Sequence, residues 1–381
     1  MLEAMWQRLD QPGSGRDLCA AWDRASAWLA LPQPHGDREQ VARLERLARR
    51  QPDQAFQPQP DGTALLVSPE GQFAAGRFAC RSSGQLQRAL QPGTEGLRLW
   101  LLEGTAPVTD IGALQALAAP GSLFQVASQF NCLESPGPYL AEVADYFFDP
   151  TQGPRASISC FPGTLLRHYA APDGQGNTFT QSAERQLNLL HRVALPGVAR
   201  VHSGYLLADE VEQLDDFLTL LEEHFQELEV GVHEQLQVVL GAGWDGPVPG
   251  SPRIAQVFTS TLAAGGYSRV DLSDTRWLKV LRRLQRAAYL GTLLAAAATG
   301  QRRAVLTLIG GGVFANPLPL IWDSILWACD QLSGRLATPL TVVVNGRNLS
   351  ETLPLEGLRD DCERRGGGVL TLGASGASLN R

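Results

Sequence analysis

Three consecutive glycines follow an apolar run near the C-terminal end of the chain: Gly310, Gly311 and Gly312. The run before them, Ala304–Ile309, is typical of a buried strand, and Asn316 with Pro317 is a favoured helix start. The spacing therefore predicts a strand, a glycine loop and a helix, in that order. Such a loop exposes backbone N–H groups at a helix N-terminus and suits a phosphate or diphosphate. A tight turn without a ligand is the alternative.

A second run of three glycines, Gly366–Gly368, has the opposite context. It follows a helical segment that ends in Arg364 and Arg365 and precedes the apolar run Val369–Leu372. Glycines in that order are typical of a helix C-cap. We therefore interpret the second run as structural.

Polar side chains follow the predicted strand Leu123–Ser128, where a turn dipeptide would be more usual. They belong to the segment Gln129, Phe130 and Asn131, with Glu134 three residues further on. An amide side chain offers donors and an acceptor, which suits the recognition of sugar hydroxyls. A capping amide without a ligand is the alternative.

Two carboxylates, Asp145 and Asp149, stand four residues apart and are followed by Thr151, Gln152 and Gly153. In a helix they would share one face. Paired carboxylates suit general acid and base catalysis at a glycosidic carbon. A surface helix end followed by a turn is the alternative.

The elements that must position these residues alternate between strands and helices. Apolar runs predict strands at Leu97–Leu102, Leu123–Ser128, Ala304–Ile309 and Leu340–Val344, and the segment Ala156–Tyr169 also reads as extended. Helices are predicted at Asp274–Thr299 and from Pro317 to Leu332. The alternation predicts an α/β fold with a largely parallel sheet. Residues 1–95 read as an added, mostly helical N-terminal region, and residues 96–381 as the main domain.

Composition excludes several classes of function. Lys279 is the only lysine among 32 basic residues, so a phosphate loop of the Gly-Lys-Ser/Thr type is absent. The net charge of −7 argues against nucleic acid or a membrane surface as a partner. The six cysteines form no CxxC pair, and no spacing suggests a metal site. No signal peptide is recognised, so we expect a cytoplasmic protein.

Five patterns in one order resemble the macrodomain family, the ADP-ribose-binding α/β module. In macrodomains, a strand ending in an Asn-containing loop reaches the distal ribose, and a late glycine-rich loop holds the diphosphate. The order is most similar to an atypical group that includes a bacterial effector which removes ADP-ribose from ubiquitin. The patterns span about residues 120–335 and are Ser128–Glu134, Tyr146–Pro154, Gln186–Leu190, Gln256–Ser260 and Leu306–Asn316.

The resemblance implies a macrodomain-like sheet and an ADP-ribosyl hydrolase. It implies that the glycine loop holds the diphosphate and that Phe314 packs near the distal ribose. Asp149 is the first choice for the catalytic carboxylate, Glu134 the second, and Asp145 a third candidate. The residues expected to bind the ligand are Gln129, Phe130, Asn131, Thr151, Gln152, Gly153, Gly310, Gly311, Gly312, Val313, Phe314 and Asn316.

ADP-ribose or an ADP-ribosylated protein is therefore the expected partner. No resident cofactor is expected, although Mg²⁺ assistance remains open. Two other functions remain open as well. One is a non-catalytic reader of ADP-ribose, and the other is a hydrolase that acts on a different nucleotide-diphosphate sugar or NAD metabolite.

Overall fold

The structure is a computed structural model that describes residues 3–11, 15–31 and 34–380. Its helices are α1 Glu3–Asp10, α2 Gly15–Leu29, α3 Arg38–Arg50, α4 Pro52–Ala55, α5 Ser83–Ala89, α6 Ile111–Ala116, α7 Gln152–Ser159, α8 Phe161–Tyr169, α9 Leu214–Glu223, α10 Thr275–Ala298, α11 Leu318–Leu332 and α12 Leu355–Glu363. Its strands are β1 Phe56–Pro58, β2 Ala64–Ser68, β3 Gly71–Ser82, β4 Leu97–Glu103, β5 Ser122–Ala127, β6 Ala171–Pro172, β7 Thr178–Phe179, β8 Ala199–His202, β9 Tyr205–Val211, β10 Glu229–Gln237, β11 Arg253–Thr259, β12 Leu262–Ala263, β13 Arg303–Thr307, β14 Leu340–Arg347, β15 Gly368–Gly373 and β16 Gly376–Asn380.

A mixed sheet of eleven strands forms the centre, in the order β1-β2-β3-β10-β11-β5-β13-β14-β4-β15-β16. The six strands from β11 to β15 in that order are parallel. The strands on either side of them pair antiparallel. The predicted α/β class with a mixed, largely parallel sheet flanked by helices is confirmed. The carboxyl ends of the six parallel strands meet at one edge, where ligands bind in open α/β sheets.

Both faces of the parallel strands are buried, which explains their continuous apolar runs. In β4, Leu99 and Leu101 join the core formed with α10 and α11. Trp100 and Leu102 alternate with them and pack on the other face, in the core that includes Trp6 of α1. The period of two therefore assigns alternate side chains to two separate helical layers.

The N-terminal region is part of the main fold. Strands β1, β2 and β3 lie before residue 96, yet they extend the central sheet through the pairing of β3 with β10. The central sheet therefore extends across the predicted boundary at residue 95, and the region before it contains helices α1–α5 as well as strands β1–β3.

The prediction of extended structure for Ala156–Tyr169 is wrong, because α7 and α8 cover that segment. Every residue of α8 is buried, so the helix has no polar face that would give a period of 3.6. Within the part of the chain that the structure describes, no helix is long and apolar enough to cross a membrane.

Candidate functional site

A cavity of about 500 Å³ opens at the carboxyl ends of four neighbouring parallel strands. Its walls are the segments that follow β5, β11 and β13, together with the last residues of β14. The start of α7, Tyr205 at the start of β9 and Tyr267 in the loop after β12 complete the lining. Segments far apart in the sequence therefore meet at this edge of the sheet.

The first glycine run lies in this cavity as predicted, between β13 and α11. The loop is closed by hydrogen bonds from Gly311 N–H to the Leu308 carbonyl, 2.9 Å, and from Asn316 N–H to the Gly310 carbonyl, 2.9 Å. The N–H groups of Gly312, Val313 and Phe314 donate to no acceptor among the residues that the structure describes. Consecutive unpaired N–H groups beside a cavity have the geometry that suits an anion.

Asn316 was expected to cap the following helix and to bind the ligand, but the structure gives it neither the N-cap position nor a place in the cavity lining. The N-cap of α11 is Pro317, and Asn316 is buried outside the cavity wall. Its Nδ2 donates to the carbonyls of Leu262, 3.0 Å, and Phe314, 3.1 Å. Its Oδ1 accepts from Thr261 Oγ1 at 3.2 Å. The amide therefore fixes the shape of the glycine loop.

In the segment after β5, likewise, only some of the residues that were expected to bind the ligand line the cavity. Gln129 lines the cavity, where its Nε2 donates to the Ser135 carbonyl at 3.3 Å. Phe130 and Asn131 are buried away from the cavity. Asn131 Nδ2 donates to Gln186 Oε1 at 2.9 Å, and its Oδ1 accepts from Leu133 N–H. The predicted contact of Phe130 and Asn131 with the ligand therefore finds no support, and Asn131 instead holds the turn.

Glu134 is the buried carboxyl group of the site, with 2 % of its surface exposed. Its Oε1 accepts a hydrogen bond from Ser157 Oγ of α7 at 3.3 Å. A Cβ atom at Gly153 would lie 2.8 Å from Glu134 Oε2 and 2.1 Å from the Ala127 carbonyl, so only glycine lets α7 approach so closely. Burial, reinforced by the charge of Asp149, raises the pKa of Glu134 well above its usual value, although Arg167 opposes the shift.

Asp149 also lines the cavity, at the start of the turn that leads into α7. Its Oδ1 accepts from Thr151 N–H at 2.9 Å. Thr151, Gln152 and Gly153 line the cavity with it, and Gln152 Oε1 accepts from Ile111 N–H at 3.0 Å. The structure therefore brings Asp149 and Glu134 into one cavity.

Asp145 does not join the two other carboxylates. The segment Val143–Phe148 is a 3₁₀ helix rather than an α-helix, and Asp145 lies on the surface. Its Oδ1 accepts from Arg38 Nη2 at 2.7 Å, and it does not line the cavity. The structure therefore does not place Asp145 beside Glu134 and Asp149, because Arg38, 107 residues away in the sequence, holds its carboxylate on the surface.

The N-terminal helix α3 supports the Asp149 segment through the buried carboxyl group of Glu45. Glu45 Oε1 accepts from Val143 N–H at 2.6 Å and from Tyr169 Oη at 2.6 Å. Glu45 Oε2 accepts from Ala144 N–H at 2.9 Å. Burial raises the pKa of Glu45, and the three donors oppose that shift. The region before residue 96 therefore helps to position the site.

Three aromatic rings form one wall of the cavity: Tyr205, Tyr267 and Phe314. The ring centroids of Tyr205 lie 5.0 Å from Tyr267 and 5.7 Å from Phe314. Sequence reasoning singled out Phe314 but missed both tyrosines. Tyr205 stands in a hairpin and Tyr267 in a loop, so only the tertiary fold brings them to the glycine loop.

Polar groups without partners face the same space. Ser260 after β11 lines the cavity, and it ends the sequence pattern Gln256–Ser260. Asn345 and Arg347 at the end of β14 also line it, and no sequence pattern pointed to them. Gln129 Oε1, Ser260 Oγ and Asn345 Oδ1 are buried and have no hydrogen-bond partner among the described residues. Buried polar atoms in native proteins are nearly always paired, so these three atoms favour a polar ligand.

No group of three or more His, Cys, Asp or Glu side chains within the described ranges could hold a metal ion. One buried and one half-buried carboxyl group in a shared cavity can divide acid and base roles between them.

Comparison with known proteins found similarity among solved structures only. No protein-family model matches the chain, and no curated protein matches it. The chain is similar to poly(ADP-ribose) glycohydrolase from Thermomonospora curvata, with 15 % identity and a TM-score of 0.42, covering 86 % of this chain and 98 % of that one. It is also similar to poly(ADP-ribose) glycohydrolase from Deinococcus radiodurans in complex with ADP-ribose, with 13 % identity and a TM-score of 0.42, covering 76 % of this chain and 93 % of that one.

Proposed function

We propose that this protein is an ADP-ribosyl hydrolase that releases ADP-ribose from a modified protein or small molecule. The observation that carries the proposal is the composition of the cavity. Unpaired N–H groups of Gly312, Val313 and Phe314 share one space with the carboxyl groups of Glu134 and Asp149. A diphosphate needs the first feature, and cleavage at an anomeric carbon needs the second.

The remaining lining suits the rest of the ligand. Gln129 and Asn345 offer amide groups for ribose hydroxyls, and their unpaired oxygens, Oε1 and Oδ1, can each accept a hydrogen bond from a hydroxyl group. The wall of Tyr205, Tyr267 and Phe314 offers aromatic faces for a sugar or a base. The ordered sequence patterns that resemble macrodomains point to ADP-ribose among nucleotide-diphosphate sugars.

The two carboxyl groups take different roles in the proposal. Glu134 is buried and has a raised pKa, so it remains protonated to a higher pH and donates the proton to the departing group. Asp149 is only half-buried, so it can activate a water molecule that attacks the anomeric carbon. The transition state is oxocarbenium-like, and both carboxyl groups flank it.

The test measures free ADP-ribose released from an ADP-ribosylated protein, with EDTA and with Mg²⁺. We expect Asp149→Asn to bind ADP-ribose in calorimetry almost as the wild type does, and to lose turnover by about 10²–10⁴-fold. The matched control is Asp145→Asn, which alters an exposed carboxylate four residues away and outside the cavity. It is expected to keep wild-type turnover.

Other outcomes would contradict the proposal in distinguishable ways. Unchanged turnover in Asp149→Asn would remove Asp149 from the mechanism. ADP-ribose binding without release by the wild-type protein would indicate a non-catalytic reader. Tighter binding of AMP or NAD than of ADP-ribose would indicate a different nucleotide substrate.

A further inference from the structure

Arg167 of α8 is a fully buried guanidinium, with 0 % of its surface exposed. Among the residues that the structure describes, no carboxylate oxygen lies within 4.0 Å of it, whereas buried Arg303 pairs with Asp10. Burying a charge without a paired partner costs several kcal/mol. The position therefore calls for a reason to keep an arginine there.

All direct partners of Arg167 are neutral. Its Nε donates to the Cys132 carbonyl at 3.2 Å and its Nη2 to Thr164 Oγ1 at 3.1 Å. Its Nη1 lies 3.2 Å from His233 Nδ1, and the guanidinium carbon lies 3.6 Å from the centroid of the Phe258 ring. Because His233 Nε2 lies 2.7 Å from the Ala75 carbonyl, Nε2 carries the proton and Nδ1 accepts.

Two connections lead from Arg167 to Glu134. The first is the backbone, because the Cys132 carbonyl that Arg167 holds lies two residues before Glu134. The second consists of two hydrogen bonds that meet at Ser157. Thr164 Oγ1 donates to the backbone carbonyl of Ser157 at 2.6 Å. The side-chain Oγ of Ser157 donates to Glu134 Oε1 at 3.3 Å. The guanidinium itself forms hydrogen bonds in three directions, to the Cys132 carbonyl, Thr164 Oγ1 and His233 Nδ1, which suits the planar fork of an arginine.

The backbone that Arg167 holds is itself in an unfavourable conformation. Cys132 has a φ of 62°, in the left-handed region that a residue with a Cβ atom seldom adopts. A bond to its carbonyl from a charged donor therefore stabilises a turn that would otherwise relax. The same turn places the Glu134 carboxyl group at the cavity.

We propose that Arg167 is a positioning residue, which holds the Cys132–Glu134 turn and supplies the positive charge that Glu134 faces from behind the cavity wall. This inference rests on the proposed function for its kinetic readout. Phe258 and His233 exclude water from the guanidinium, so its charge acts over a longer distance than it would in solvent.

The first test compares pH profiles of turnover for the wild type, Arg167→Met and Arg167→Lys. Without the nearby charge, the ionised form of Glu134 loses stabilisation, so the limb of the profile that belongs to Glu134 should move to higher pH in Arg167→Met. The turnover number should fall by about tenfold to a hundredfold with little change in KM, because the carboxyl group is misplaced. Arg167→Lys keeps the positive charge but loses the planar guanidinium. The Glu134 limb of its pH profile should therefore stay near the wild-type position, while its turnover number falls.

The matched control is Arg303→Met, which removes another buried guanidinium at the amino end of β13, away from the cavity. It should leave the pH profile unchanged. An unshifted profile in Arg167→Met, or an equal effect in Arg303→Met, would overturn the inference. If Arg167→Met does not fold, the comparison of Arg167→Lys with Arg303→Lys decides it, since only the former should lower turnover.

A second measurement does not depend on activity. In protein labelled at the glutamate carboxyl carbon, the resonance of Glu134 is identified by its loss in Glu134→Gln and is then titrated with pH. Its midpoint should rise in Arg167→Met, and an unchanged midpoint would overturn the inference. Absence of ADP-ribose release from the wild type would contradict only the proposed function.

Discussion

The two glycine runs have the same three residues but opposite chemistry. At Gly366–Gly368, the N–H groups of Gly366 and Gly367 donate to the carbonyls of Glu363 and Cys362, at 2.9 and 3.0 Å, and so close the end of α12. At Gly310–Gly312, the N–H groups that follow Gly311 donate to nothing among the described residues until Ala315. The last turn of a helix has free carbonyl groups that accept from the N–H groups of the residues that follow, whereas the end of a strand offers no such carbonyls. The direction of the turn therefore decides which run can bind an anion.

The surrounding charges differ in the same sense. Each run borders a cavity of about 500 Å³. Near the second run, Arg365 pairs with Asp330 at 2.8 Å, and Arg364 pairs with Asp361. In the first cavity, Glu134 has no guanidinium within 4.0 Å among the described residues. The volume of a cavity therefore does not identify a binding site, whereas polar groups in it that lack a partner within the protein do indicate one.

The largest expected effect is on folding, at the second run. A Cβ atom at Gly367 would lie 1.8 Å from the Leu99 carbonyl of β4, so Gly367→Ala must push two strands apart. We expect it to lower the free energy of unfolding by about 3 kcal/mol, measured by denaturant titration. Gly357→Ala in α12 is the control, because its Cβ would meet no atom within 4 Å. A stable Gly367→Ala would contradict the assigned structural role.

The next effect is on binding, at the first run. A Cβ atom at Gly312 would meet no atom within 4 Å, and the residue lines the cavity, so a side chain there has room in the protein but occupies ligand space. We expect Gly312→Leu to weaken ADP-ribose binding by about tenfold or more, or about 1.4 kcal/mol, in calorimetry. The free energy of unfolding should change by about 0.5 kcal/mol or less.

Gly357→Leu serves as the matched control for that change, since its surroundings are equally open and it lies outside the cavity. It should leave ADP-ribose binding unchanged. If Gly312→Leu bound ADP-ribose as tightly as the wild type, the glycine loop would be a turn without a ligand, like the second run.

The comparison also indicates what the sequence could predict. The order of apolar run, glycines and helix start is local, and it placed the first run correctly between β13 and α11. The long helix predicted at Asp274–Thr299 is α10, Thr275–Ala298. The segment Ala156–Tyr169 was misjudged because burial on all sides removes the polar face from which a helix is recognised.

Within the site, the sequence identified residue types but not their directions. Asn131 and Asn316 were expected to bind the ligand, yet their amides are used by partners 55 residues away, Gln186 and Thr261. Tyr205 and Arg347 reach the cavity only because β9 and β14 lead there. Such contacts depend on tertiary structure, which local spacing does not encode.

The smallest of the three effects is a pH dependence of the free energy of unfolding. It should distinguish buried Glu134 of the first cavity from exposed Asp330 near the second glycine run. Burial raises the folded-state pKa of Glu134 above its unfolded value. The stability that this shift contributes is fully present below the unfolded pKa and is lost as the pH rises through the folded pKa. Glutamine has no such dependence. The stability of Glu134→Gln relative to the wild type should therefore increase as the pH is raised.

The measurement is the free energy of unfolding of both proteins from pH 5 to 9. The relative gain at high pH should exceed the roughly 0.5 kcal/mol typical of surface substitutions but stay below the roughly 1.4 kcal/mol expected for Gly312→Leu. Asp330→Asn, whose carboxylate is exposed and paired with Arg365, should change stability by about 0.5 kcal/mol or less. A constant difference between Glu134→Gln and the wild type would mean that Glu134 is as well solvated as the surface carboxylates. The first cavity would then lack the buried acid that distinguishes it from the second.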